Sequence, residues 1–238
     1  IDVTVTEVGA RGDGVAQHPD THVPVFVPFS LPGETLRVKL AAEKSGGIDA
    51  EPIELLEPSI ERIDAPCPHY GSCGGCQLQH WEPQAYQLWQ QQRLAYSLIK
   101  AGFDKPTLKP LFSVPPASRR RATLAVELDP KGRASIGFRG RASNRLIAIS
   151  QCGVLRPSLA QAIPKLKAFA EQVIKPNKAA KFHLTETDSG LDLLVHADGE
   201  PGPEVYKAGG DLVADLDLAR LVWNKEPILT IREPMLRM

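Results

Sequence analysis

The chain has 238 residues, Lys+Arg 28 balanced by Asp+Glu 28, and only four cysteines. That length bounds it to one large or two small domains, and the neutral total excludes a uniformly basic or acidic binder. With no signal peptide and no transmembrane run, the expected compartment is reducing and cytoplasmic.

Residues 1–57 read as a small all-β unit. Asp2 to Val8 alternates apolar and polar residues, the period of a half-buried strand, and Gly9-Ala10-Arg11-Gly12-Asp13-Gly14 is a turn cluster. Val23 to Pro28 resumes strand character, with prolines that predict an edge position. Leu31-Pro32-Gly33-Glu34 makes the next turn, Thr35 to Leu40 alternates again, and Ala50 to Leu56 offers a last strand. Short strands between Gly/Pro turns describe a small barrel.

Three of the cysteines then fall within ten positions, in Cys67-Pro68-His69-Tyr70-Gly71-Ser72-Cys73-Gly74-Gly75-Cys76, and the fourth is the remote Cys152. Two disulfides suit a secreted protein, structural zinc usually takes paired Cys-x2-4-Cys knuckles, and an iron–sulfur cluster accepts unequal spacing with one distant ligand. The spacing here favours iron–sulfur over zinc and leaves both open. Glycines supply the curled backbone that converging thiolates need.

The clearest helix follows, from Pro83 to a C-terminal cap at Gly102, with Ala85, Leu88, Trp89, Leu94, Ala95, Leu98 and Ile99 at helical spacing. It reads as an amphipathic packing helix. From Arg121 the texture returns to β: Arg121–Leu128, a turn at Asp129–Gly132, Ala134–Arg139, and Leu146–Ile149 running towards Cys152. Residues 157–174 predict a helix interrupted near Pro164. His183–Glu186 and Leu191–His196 predict a hairpin, Leu212–Leu221 a helix, and Leu221–Asn224 and Ile228–Ile231 short strands.

Charge is unevenly distributed. Between Ala117 and Leu146 lie Arg119, Arg120, Arg121, Lys131, Arg133, Arg139, Arg141 and Arg145 against Glu127 and Asp129, whereas acids outnumber bases from Phe182 onwards. Such a basic block suggests a polyanion partner, although charge runs are often only solvated faces. Sets for catalysis are missing: no P-loop, no G-x-S-x-G, no H-E-x-x-H. Gly9, Gly12 and Gly14 lie between strands and cannot open a dinucleotide fold. His18, His22, His69, His80, His183 and His196 are scattered, and each reads as a surface or core residue, with His80 packing beside the cysteine loop.

Together, Cys67-x5-Cys73-Gly74-Gly75-Cys76-x2-Gln79-His80, the Gly9–Ala16 and Leu31–Glu34 turns, Arg119–Leu124, Ile136–Arg139 and Ser150–Pro157 resemble the bacterial 23S rRNA (uracil-5-)-methyltransferases that carry an iron–sulfur cluster. One departure is Gly153, where the family commonly has proline. The resemblance implies a mainly β chain with an α+β central domain. An OB-like TRAM β-barrel at 1–57 would bind RNA. A mixed α/β central domain at 58–82 and 116–238 would be stapled by a 4Fe-4S cluster on Cys67, Cys73, Cys76 and Cys152. A helical segment at 83–115 would pack on a catalytic domain.

It further implies that the Rossmann-like methyltransferase domain, with the S-adenosylmethionine site, the nucleophile and the base, is absent from this chain, which would be inactive alone. RNA contacts are then expected from Arg11, His18, Arg119, Arg120, Arg121, Arg139, Arg141 and Arg145. The implied protein is a cytoplasmic, monomeric enzyme that methylates uracil C5 in ribosomal RNA and does not engage membranes. A stand-alone metal-bearing RNA-binding module is the alternative.

Overall fold

The computed structural model describes residues 1–44 and 46–236. The chain divides into two compact units, Ile1–Gly71 with Cys76–Ser113, and Ser72–Gly75 with Val114–Met238.

The first unit is built on a closed barrel of β1 (Asp2–Val8), β2 (Gly14–Gln17), β3 (Pro24–Val27), β4 (Thr35–Lys44) and β5 (Gly47–Glu57), in the order β1-β2-β3-β5-β4. Alternation turns Val3, Val5, Ala16, Val25, Val27, Leu36, Val38 and Ala50 into one apolar core. A register shift between Val5 and Glu7 resets the parity of β1, so Val8 also faces inward. Two expectations are corrected here. The Gly-rich turn gives way at Gly14 to a strand, with Gly14 itself required because a Cβ there would lie 2.1 Å from Ser30 Oγ. β3 is also no edge: its ladder runs between β2 and β5, and its prolines are harmless because Pro24 begins the strand and Pro28 follows it.

Helix α1 (Pro83–Lys100) starts with Pro83 at its first turn and Glu82 accepting the Ala85 N–H at 2.8 Å. It ends where Gly102, at φ +91°, and Phe103 donate to the Ile99 and Leu98 carbonyls, a Schellman closure. The packing is more partial than its periodicity predicts. Ala85, Tyr86 and Trp89 join Val8, Leu31 and Trp81 in a small cluster, while Leu88, Leu94 and Ile99 remain more than half exposed.

The second unit is a seven-stranded sheet, ordered β12-β11-β10-β9-β6-β7-β8. Its strands are β6 (Arg121–Leu128), β7 (Ala134–Arg139), β8 (Leu146–Ala148), β9 (Ala179–Thr187), β10 (Gly190–Ala197), β11 (Leu218–Trp223) and β12 (Glu226–Thr230). Every pair is antiparallel except β10–β11, which α3 (Pro203–Asp215) connects. Helices α2 (Pro157–Val173) and α3 cover one face, burying Leu124, Val126, Phe182, Leu184, Leu193, Val195 and Leu221 with Leu159, Leu166, Phe169 and Leu212. Pro164 does not interrupt α2 as predicted. It lies on the exposed side of the helix, away from the residues packed against the sheet. The helix expected at Leu212–Leu221 is corrected to Pro203–Asp215, followed by β11. Its Gly209 allows close approach to the sheet, since a Cβ there would sit 2.7 Å from Leu221 Cδ2. Among the described residues no helix is long and apolar enough to cross a membrane.

Candidate nucleic-acid interface and cysteine loop

The cysteine loop is closed at its base by a bridge between Arg62 and Trp81. Its stem is held electrostatically. The fully buried Glu34 carboxylate accepts from Arg62 Nε at 2.5 Å and Nη2 at 2.8 Å, from the Leu31 N–H at 2.9 Å and from the Ser59 N–H at 3.3 Å. Arg62 Nη2 also donates to the Phe29 carbonyl at 2.8 Å, fixing a left-handed turn at φ 58°. Burial alone would raise the Glu34 pKa, but the Arg62 hydrogen bond, the Leu31 and Ser59 amides and the guanidinium charge outweigh it, so the carboxyl titrates below its ordinary value. Nothing in the spacing of Glu34 and Arg62 announces this pair.

Within the loop, Tyr70 OH donates to the Gln77 carbonyl at 2.5 Å and is hydrogen-bonded to His80 Nδ1, which therefore carries the imidazole proton. His80 Nε2 has no hydrogen-bond partner among the described residues. Burial, and then the Arg62 charge, lower the His80 pKa to about 4, so the ring is neutral at pH 7. Gln77 lies over the barrel turn at Gly12, whose φ of +82° demands glycine and whose Cβ position is 2.8 Å from the mobile end of the Gln77 side chain.

Cys67 and Cys76 belong to the first unit, and Cys73 and Cys152 to the second. All four are half-buried and none forms a disulfide. Cys73 bridges Gly140 in the turn after β7, the Gly74 N–H donates to the Arg139 carbonyl at 2.9 Å, and the Gly75 N–H approaches Cys73 Sγ at 3.4 Å. Among the described residues no three Cys, His, Asp or Glu side chains are grouped as a metal site. The second unit has a continuous apolar core of its own.

The basic block separates into two places within the second unit. Arg139, Arg141 and Arg145 flank the β7–β8 turn beside Cys73; Arg139 pairs with Glu127 and donates to the Asn144 carbonyl at 2.6 Å. Arg119, Arg120 and Arg121 line a cleft of ≈ 510 Å³ with Thr123 and Thr185. Arg120 is tied to Asp188 at 2.8 Å, whereas no described carboxylate pairs with Arg119 or Arg121, both exposed. In the first unit Arg11 is exposed in the β1–β2 turn, and His18 is committed to its own loop, its Nδ1 accepting the Asp20 N–H at 3.2 Å.

The sequence reading passed over His183 and His196. Strand register brings them together on β9 and β10, with ring centroids 5.0 Å apart and edge to face, and Thr123 Oγ1 lies 3.0 Å from His183 Nδ1. Burial, then His196 and Lys181, lower the His183 pKa. The signal available in the sequence was parity: Lys181 and His183 alternate with the core residues Ala180, Phe182 and Leu184.

A small closed barrel and a sheet-bearing unit with a basic cleft form a chain whose homologues are RNA (uracil-C5) methyltransferases. In particular, it is 37% identical over 250 residues to an uncharacterized RNA methyltransferase of Caulobacter vibrioides, covering 100% of this chain and 57% of the relative. It is 34% identical over 228 residues to the 23S rRNA (uracil(1939)-C(5))-methyltransferase of Chromohalobacter salexigens, covering 95% of this chain and 48% of that protein. The chain thus spans about half the length of these relatives. No family model matches it.

In fold it is similar to the Pyrococcus abyssi tRNA (uracil-54, C5)-methyltransferase determined in complex with S-adenosyl-L-homocysteine. The TM-score is 0.62 at 20% identity, over 93% of this chain and 50% of that one. This overturns the expected fold class, which set the methyltransferase fold outside the chain. The barrel and the seven-stranded sheet themselves lie on the fold of a methyltransferase chain.

Proposed function

We propose that the chain is the RNA-binding and iron–sulfur part of an S-adenosylmethionine-dependent RNA uracil-C5 methyltransferase that forms 5-methyluridine in large-subunit ribosomal RNA. The observation that carries this reading is similarity over 95% of the chain to a relative named as a 23S rRNA methyltransferase, at 34% identity. The solved tRNA enzyme, at 20% identity, supports the fold alone. S-adenosylmethionine, when bound, supplies the methyl group. No side chain of this chain is assigned to that transfer.

What these residues do is grip. Exposed Arg119 and Arg121 neutralise phosphates at the basic cleft, Arg145 and Arg141 extend the contact along the β7–β8 turn, and Arg11 offers a cation from the barrel. His18 and Arg120 stiffen the elements that carry these contacts. The donor chemistry fits a 4Fe-4S cluster on Cys67, Cys73, Cys76 and Cys152: four thiols outside any disulfide, and a Gly75 amide directed at Cys73 sulfur, as metal-bound thiolates favour.

Filter binding with transcripts of large-subunit rRNA and with tRNA tests the substrate. Tighter rRNA binding that weakens steeply with salt is expected, and equal or absent binding refutes the ribosomal assignment. Protein purified without oxygen should carry about four irons and four sulfides per chain, and Cys152→Ser should lose them. One zinc without sulfide would remove the iron–sulfur half of the proposal. Tritium transfer from S-adenosylmethionine to unmodified rRNA measures whether this chain suffices for catalysis.

A further inference from the structure

The face of the second unit's sheet opposite α2 and α3 carries a patch that neither the core nor the ion pairs consume. Parity along β6, β9 and β10 places Thr123, Lys181, His183 and His196 on this face, with Arg121 at the β6 end and Arg119 just before it. The cleft lined by Arg119, Arg121, Thr123 and Thr185 opens at the same edge, so cleft and patch are continuous.

Charge on this face favours an anion. Its carboxylates are already neutralised: Asp192 by Arg220 through two bonds of 2.9 Å, Glu127 by Arg139, and Asp188 by Arg120. Arg119, Arg121 and Lys181 have no such partner among the described residues. The centre is different in kind. His183 and His196 form an edge-to-face pair, with His196 exposed and directly opposite Lys181 across the β9–β10 ladder. Thr123 meets His183 Nδ1 at 3.0 Å and steadies that ring, while cross-strand registry puts Arg121 opposite Thr185, one pleat from His183. One pleat and one strand correspond to roughly 7 Å and 5 Å, a spacing that sets a ring platform beside a phosphate contact.

Exposed aromatic rings flanked by cations on an open sheet are how proteins hold unpaired nucleotides, because every base offers a stacking face and every linkage a negative charge. An A-form duplex presents no free base faces to such a platform. We infer that this sheet face is a docking surface for a single-stranded RNA segment, with a base stacked on the His183–His196 pair and flanking phosphates held by Arg121, Arg119 and Lys181. The inference rests on the RNA reading above and deepens it by naming the strand state that the second unit recognises.

The test is fluorescence anisotropy of the whole chain with a labelled ten-nucleotide oligouridylate and, in parallel, a ten-base-pair RNA duplex. The single strand should bind more tightly than the duplex. The double variant His183→Ala, His196→Ala should weaken single-strand binding about tenfold, as expected for loss of one stacking platform. His183→Phe should retain it, which a purely structural histidine would not predict. Arg121→Ala should lower the salt slope by about one.

Far-UV circular dichroism checks the fold of each variant. If the double variant fails to fold, His196→Ala, at an exposed position, carries the test with an expected loss of several-fold. Wild-type binding with unchanged affinity in the histidine variants would overturn the sheet proposal and leave the RNA reading intact. A wild-type chain that binds no RNA would remove both.

Discussion

Replacing Glu34 by glutamine is the sharpest probe of how the cysteine loop is anchored. The change keeps the side chain's shape but removes the charge that Arg62 is directed at, and one of the two carboxylate oxygens becomes a donor. Glu34 is fully buried and accepts four hydrogen bonds, two of them from the guanidinium, whose side chain is 25% exposed. Removing one partner of a buried pair costs about 3–5 kcal/mol, and partial hydration of Arg62 sets the expectation at the lower end, about 3 kcal/mol. Hydrogen exchange read by mass spectrometry resolves this locally. Peptides covering Phe29–Thr35 and Ser59–Ile63 should exchange about a hundredfold faster, while peptides from β9 and β10 in the second unit serve as an internal reference. A double variant, Glu34→Leu with Arg62→Met, should recover part of the loss, because no charge is left stranded, although the Leu31 and Ser59 amides then lack their acceptor. Unchanged exchange in the Glu34→Gln peptides would refute the anchoring argument.

Three further outcomes are expected. His80 is neutral in the folded chain down to about pH 4, while an unfolded imidazole protonates near 6.5, so the unfolded state gains protons first as the solution is acidified. Stability should therefore fall between pH 6.5 and 4, by at most about 3 kcal/mol. The urea midpoint measures it, and a His80→Gln chain with the same slope would show that another group is responsible. The two adjacent glycines of α3 should respond with opposite signs. Gly209→Ala meets the buried Leu221 at 2.7 Å and should cost about 1–2 kcal/mol, whereas Gly210→Ala, with nothing within 4 Å, should stabilise by up to about 1 kcal/mol. Thermal denaturation of both variants decides. Gly74→Ala would press a methyl group to 2.8 Å from the Arg139 carbonyl. It should lower iron retention per chain while leaving far-UV dichroism unchanged, and full iron content would argue against a tight fit of Cys73 at Gly140.

Local pattern carried much of this architecture. Alternation in Asp2–Val8 and Arg121–Leu128, the Asp129–Gly132 turn and the stop at Gly102 correspond to observed elements because each is decided by neighbours within a few residues. Misreadings occurred where tertiary contact outweighs local preference. Pro164 stays inside a helix on its exposed side, and Gly209 stays inside another because the sheet comes too close for a side chain. The arginines of the cleft were visible as a cluster, but the ion pair that immobilises Arg120 lies 68 positions away in sequence. Glu34 with Arg62, and His183 with His196, are products of closure and register. A single sequence displays neither, although strand parity came within one step of the second.

The strand order of the larger sheet also bears on how the protein is made. β6, β7 and β8 form a meander that leaves the chain's synthesis early, yet β6 is an interior strand whose second neighbour, β9, follows only after the whole of α2. Until then the backbone groups of Arg121–Leu128 on that side are unpaired, with Leu124 and Val126 still to be covered. A nascent chain paused between Leu128 and Ala179 would expose an apolar template for pairing with other chains. Slow translation through α2 is therefore the stage at which overproduction should lose most protein to inclusion bodies, and slower growth with fewer chains per cell should relieve it.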